Sequence, residues 1–259
     1  MKTSRLIALI AIPLLFSCLP KKPEIPRDEV PAGPLLQALE QRRHSFTGLK
    51  AMASVEVVKR GGKRTLENVG IVLDGQRRFR IEAFGPLGQS ALALVWDGQE
   101  LLARLPGNDR VVRQGPMGLE RLLGGGLEVQ ELCAILSGNI PVSVPSSDAR
   151  LFCGQAGDCM LELSEGDGVR RVRVQLPPGP GSKPKLVSQA LYRSGKLVYQ
   201  ARFEGTAEIA HYLLPMTLVI ENPDKKLLLT IMYGDAEVNI PISDEAFLLN
   251  DEGAGDSKK

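Results

Sequence analysis

Cys153 and Cys159 flank Gly154-Gln155-Ala156-Gly157-Asp158, a turn-rich segment between apolar stretches. In an oxidising compartment that spacing reads as a disulfide pinning a hairpin. A metal site would need two further ligands, and none lies close in sequence. Cys133, within Val129 to Leu136 (VQELCAIL), reads as a small buried hydrophobe. As an unpaired thiol it could instead be a nucleophile, with His44 and His211 both remote in sequence. Carboxylates are plentiful, but there is no nucleophile elbow, no HExxH and no phosphate loop. Gly124-Gly125-Gly126 is not followed by Lys-Ser/Thr at Walker spacing, so it reads as a joint between helices. Neither an enzyme nor a cofactor or metal is expected.

The stretch that could do physical rather than covalent work is Phe84 to Val95 (FGPLGQSALALV). Phe79, Ile81 and Ala83 alternate with Arg78, Arg80 and Glu82, the period of a half-buried strand. Gly85-Pro86 breaks that strand and Gly88 follows at once. Leu87 therefore sits at a hairpin tip, and Ser90 to Trp96 is the return strand. A leucine there is either covered by a neighbouring loop or offered to a lipid; the residues alone leave both open.

These residues need a frame, and the chain supplies mostly strands. Leu35 to His44 places Leu35, Leu36 and Leu39 on one helical face and ends in Arg42 and Arg43. Alternating runs follow at 49–59, 65–73, 77–84, 89–96, 100–105 and 110–114, joined by turns such as Asp74-Gly75 and Asp97-Gly98. Helical spacing then appears at Leu119 to Leu123 and Val129 to Leu136. Strands resume at 151–164, 169–176, 185–192, 196–204, 216–221 and 227–233, with a last short one at 238–241. The expectation is one curved or closed antiparallel sheet of about eleven strands.

Composition narrows the partners. The 32 Lys and Arg against 30 Asp and Glu give a net charge of +2, which does not favour nucleic acid. Aromatics are only 5%, too few for a base-stacking platform. Met1 to Cys18 has a basic start, with Lys2 and Arg5, and an apolar core too short to span a bilayer, the shape of a secretory signal. The run Leu15-Phe16-Ser17-Cys18 resembles the bacterial lipobox. That resemblance implies a signal peptide over 1–17 and a lipidated mature N-terminus at Cys18, with a diacylglycerol thioether and an amide-linked acyl chain. Leu19 rather than Asp then points, by analogy with enteric bacteria, to the outer membrane. Residues 18–34 are rich in proline and charge and read as an extended tether. Residues 35–249 form the folded domain, and 250–259 are a polar tail read as disordered.

The chain resembles the LolA/LolB superfamily of bacterial lipoprotein carriers, nearer to the lipid-anchored LolB receptors than to soluble LolA. The specific overlap is FGPLGQSALAL at 84–94. Weaker similarity extends through Asp97-Gly98, Leu122 to Gly124, 131–141, 214–220 and 238–247. The resemblance implies a half-open antiparallel β-barrel with helices over its concave mouth, an apolar cavity holding lipoprotein acyl chains, a periplasmic LolA-like donor, and insertion of cargo at the periplasmic face of the outer membrane. It makes Pro86, Leu87 and Gly88 the membrane-insertion loop. Candidates for the cavity lining are Val55, Val57, Ile71, Leu73, Phe79, Ile81, Leu92, Leu94, Leu132 and Leu136. The expected protein is a monomer held to the membrane by its N-terminal lipid. The alternative is a sensory or scaffold lipoprotein of the same fold that binds protein partners in envelope assembly.

Overall fold

The computed structural model describes residues 28–107, 110–115, 118–119, 127–141, 148–179 and 183–249. Strand β1 (Asp28–Val30) precedes helix α1 (Gly33–His44). Six strands follow: β2 (Gly48–Lys59), β3 (Gly62–Asp74), β4 (Arg78–Phe84), β5 (Ser90–Trp96), β6 (Leu101–Arg104) and β7 (Val112–Gln114). Helix α2 (Val129–Leu136) divides the chain. The second run is β8 (Ala149–Cys153), β9 (Asp158–Glu165), β10 (Gly168–Gln175), β11 (Lys185–Arg193), β12 (Lys196–Ile209), β13 (Tyr212–Asn222) and β14 (Leu227–Val238).

All fourteen strands join one antiparallel sheet in the order β1-β8-β9-β10-β11-β12-β13-β14-β2-β3-β4-β5-β6-β7. The sheet is curved and not closed, a half-open barrel whose edges are the short strands β1 and β7. Its concave face follows from period-2 burial: Leu49, Ala51, Ala53 and Val55 on β2, and Val69, Ile71 and Leu73 on β3, all face one apolar cluster. A smaller cluster lies on the outer face, where Phe247 and Leu249 cover Ala93, Val95 and Leu102. Arg80 holds that covering segment by donating to the carbonyls of Ala246 and Leu248.

Several boundaries differ from the sequence reading. The strand number is fourteen rather than about eleven. β12 and β13 are longer than 196–204 and 216–221 because Ala210 and His211, both at positive φ, make a tight turn without glycine. The short strand expected at 238–241 does not form: β14 runs on past a bulge between Tyr233 and Ala236 and ends at Val238, the first of those four residues. The sheet also claims Asp28–Val30, inside the stretch read as tether. They pair with Leu151–Cys153, and Glu29 takes both hydrogen bonds of Arg150. Pro31 is tolerated directly after because β1 is an edge strand. The signal, Cys18 and the 250–259 tail lie outside the described residues, as do 120–126 with their glycine joint.

The turns β2–β3, β4–β5, β9–β10, β11–β12 and β13–β14 all lie at one end of the strands, as antiparallel pairing requires. β4 ends opposite the middle of β3, and Lys59 at the top of β2 pairs with Leu227. The other turns are close to level, so this is a single step in register, of the kind tilted barrel strands need, and all five turns share this end of the sheet as one rim.

Candidate functional site

The finger at that rim is built by local chemistry. Gly88 donates its N–H to Gly85 at 2.9 Å, closing a turn with Pro86 and Leu87 at its corners, and Gly88 itself sits at φ +80°. The Gln89 side chain accepts from the Leu87 N–H at 3.1 Å, and Gly85 donates to the Gln89 carbonyl at 2.8 Å. With the backbone so occupied, the Leu87 side chain points outward and is 92% exposed. An isoleucine-sized apolar group this bare on a rigid turn is uncommon, because burial would gain roughly 1.5–3 kcal/mol.

The ten candidate lining residues all fall in the concave cluster. Val55, Ile71, Leu73, Phe79, Leu132 and Leu136 are buried, and Val57, Ile81, Leu92 and Leu94 are half-buried against them. Leu132 and Leu136 belong to α2, which fills the concave side that the other eight line. Every residue from Glu131 to Leu136 is buried, with Leu136 at 0% exposure, so the helix has apolar contacts all round. Cys133 is among them, and burial pushes its thiol up to about 12. It therefore stays protonated, as a buried hydrophobe would.

Polar groups fix the helix in place. At its C-terminal end the Tyr233 hydroxyl donates to the Leu136 carbonyl at 2.9 Å and Tyr212 to Ser137 at 2.6 Å. Arg42 of α1 donates to the Gly138 carbonyl at 3.0 and 3.2 Å. These are the carbonyls that a helix end leaves without intrahelical partners. Gly138 is needed there: its φ is +67°, and a Cβ would stand 2.4 Å from Pro215 Cδ. Near the start of the helix, Arg170 of β10 reaches Glu131 at 2.6 Å, Glu165 at 2.6 and 2.9 Å, and the Tyr199 hydroxyl at 2.6 Å.

Arg170 is wholly buried. Burial opposes its charge, but Glu165, Tyr199 and Glu131 outweigh that and hold the guanidinium above its ordinary range. Two carboxylates share this one cation. Glu131 lies deeper, and burial raises its pKa against the pull of Arg170. Gln189, fully buried on β11, faces the same interior beside Val172 and Ala201, and neither end of its amide has a protein partner. None of this polar interior appeared among the sequence candidates. The signal was parity: Arg170 shares the face of Val172 and Val174, whereas Arg171 and Arg173 point outward.

A cleft of about 970 Å³ opens at the opposite rim, between the start of α2 and the β3–β4 and β5–β6 turns. Trp96 and Val129 give it apolar surface, and Asp74, Arg78, Asp97, Glu128 and Asp244 surround them. A smaller hollow of about 260 Å³ lies on the outer face over Met52, Gly70, Val72 and Phe84. The Cys153–Cys159 disulfide joins β8 to β9 where the two cysteines are direct cross-strand partners.

The sequence matches no protein-family model and no curated protein. Solved structures do match the fold. A LolA superfamily protein from Nitrosomonas europaea superimposes with a TM-score of 0.54 at 14% identity, over 85% of this chain and 98% of that one. The fold is that of the LolA superfamily. An outer membrane lipoprotein-sorting protein domain from Vibrio parahaemolyticus agrees, with a TM-score of 0.56 at 11% identity, over 82% and 95% of the two chains. A DUF1329 family protein from Desulfovibrio piger gives 0.53 at 12%, over 84% and 97%. In all three the match covers nearly the whole of the other chain.

Proposed function

We propose that this protein binds the acyl chains of lipoproteins and inserts them into a membrane, as a lipid-anchored receptor on the periplasmic face of the outer membrane. The observation that carries the reading is Leu87, 92% exposed on a rim turn of a LolA-superfamily fold. The likeness to a lipoprotein-sorting domain supports the cargo class. No bond has to be made or broken in such a transfer. It needs apolar shelter, worth roughly 0.8 kcal/mol per buried methylene, and the Val55, Ile71 and Phe79 surfaces of the sheet supply it once α2 is displaced. Cys18 would carry the anchor, residues 18–27 the tether, and a LolA-like carrier the incoming lipoprotein.

The test is cargo transfer. Soluble carrier is loaded with a purified lipoprotein, liposomes bearing this protein are added, and lipoprotein is followed into the membrane fraction. The parent transfers it, and Leu87→Glu binds cargo without inserting it. Failure of both to take up lipoprotein would overturn the receptor reading.

One observation favours the second reading, a sensory or scaffold lipoprotein. The concave side is occupied by α2, held by Arg170, Tyr212, Tyr233 and Arg42. A protein that never releases this helix would present only its outer surfaces, and would bind protein partners with no uptake of fatty-acyl probes.

A further inference from the structure

We propose that the rim carrying Leu87 is an electrostatic docking surface for the phosphate headgroups of an anionic phospholipid bilayer. The proposal rests on Leu87 as the membrane-inserting residue and adds the lipid class and the residues that orient the body.

The basic side chains are concentrated by topology rather than by sequence. Lys59, Arg60, Lys63 and Arg64 surround the β2–β3 turn, and Lys225 and Lys226 stand in the β13–β14 turn. Pairing of β2 with β14 brings these two turns side by side: Leu227 is the partner of Lys59, and Arg60 donates its N–H to the Lys226 carbonyl at 3.2 Å. Arg193 and Lys196 flank the next turn along the rim, β11–β12. All eight are exposed.

Acidic residues on this rim are fewer than basic ones, and Asp224, exposed beside Lys225 in the β13–β14 turn, is one of them. Lys63 pairs with Glu56, and Arg193 stands 3.9 Å from Asp167. The side chains of Lys59, Arg60, Arg64, Lys196, Lys225 and Lys226 make no ion pair among the described residues. The opposite rim differs: Asp74, Asp97, Glu100, Asp244 and Glu245 lie there, with Arg77 and Arg78 already paired to Asp74. A chain near neutrality thus has a strongly cationic end, and it is the end with the bare leucine.

The combination selects a bilayer over other polyanions. Nucleic acid or an acidic protein would satisfy the cations but offers nothing to Leu87. An anionic membrane offers phosphates at its surface and hydrocarbon directly beneath. Each cationic side chain brought to such a surface strengthens binding roughly five-fold, within a range set by ionic strength.

The experiment uses the full chain anchored on vesicles of phosphatidylcholine, with or without phosphatidylglycerol, so the anchor is common to every arm. Two readouts are taken. Leu87→Trp reports finger insertion through quenching by brominated acyl chains, against the low background of Trp96, the single native tryptophan. Tryptic cleavage after Arg60 and Arg64 reports docking of the basic turns independently of the finger. Phosphatidylglycerol should deepen quenching and slow cleavage, and raised salt should reverse both. Lys225→Gln with Lys226→Gln, both exposed, should lower the docked-to-free ratio roughly 25-fold.

Quenching and cleavage equal on the two vesicle types, and unchanged by the glutamines, would overturn the proposal while leaving the finger intact. Protection from trypsin without quenching would support the docking surface and remove the finger. Protection by soluble polyglutamate but not by phosphatidylglycerol would overturn the lipid assignment in favour of an acidic protein.

Discussion

Arg170 on β10 and Glu131 on α2 meet at 2.6 Å inside the half-barrel, so the helix filling the concave side is held by charge as well as by apolar packing. Removing one partner strands the other in a medium that cannot solvate it. Arg170→Met should therefore cost about 3–5 kcal/mol in unfolding free energy, measured by urea denaturation. Adding Glu131→Leu should recover a large part, because only the more accessible Glu165 then remains without its partner. A neutral Arg170→Met would show that the network does not secure the helix.

Glu131 also gives the fold a pH signature. Burial raises its pKa, so the folded chain keeps this proton at pH values where the unfolded chain has released it. The stabilisation from that difference is full below the ordinary carboxylate pKa and is lost as pH rises through the raised one. Glu40, lowered by its hydrogen bond from Arg43, acts in the opposite sense. Melting temperatures of the parent and Glu131→Gln, followed from pH 4 upward in steps of about one unit, should diverge toward acid with the parent gaining. Parallel curves would remove Glu131 as the source.

Gly138→Ala should loosen α2 from its C-terminal end. The backbone conformation alone costs about 1–3 kcal/mol for a residue with a Cβ, and the new methyl would collide with Pro215. Hydrogen exchange of the α2 amides should quicken ahead of those in β2 and β14. Uniform quickening would mean that the helix and sheet open together.

Leu87→Glu separates function from stability. The side chain touches little in the folded protein, so its replacement should change unfolding free energy by no more than about 0.5 kcal/mol. A larger loss would mean that the leucine is covered in solution and is not a free finger.

The sheet and the hairpin at Leu87 were legible because alternation and Gly-Pro punctuation are local signals; the sheet's open form came only from the resemblance to the carrier superfamily. The exposure of Leu87 was not, since a turn says where a side chain starts and not what neighbours it. Ala210 and His211 turn the chain without glycine, and so hid the length of β12 and β13. Asp28–Val30 carry no strand pattern; β8 recruits them through Arg150 and Glu29. Eight lining candidates came from strand parity and Leu132 and Leu136 from helical spacing, and all ten lie in one cluster. Arg170 shares that parity too, but one of three arginines within Val169 to Gln175 (VRRVRVQ) looks like its exposed neighbours until Glu131 and Glu165 arrive from elsewhere in the chain.

The pairing of β14 with β2 has a kinetic side. The middle of this sheet is a seam between an early strand and the last one, and Phe247 and Leu249 close over β5 and β6 only after it. Contacts so distant along the chain form slowly, because a long loop must be ordered before they repay it. A nascent chain cannot complete its central ladder until its C-terminal strand has been synthesised. Until then the finger-bearing hairpin lacks its outer cover, and β2 is left with an unpaired edge where β14 will lie.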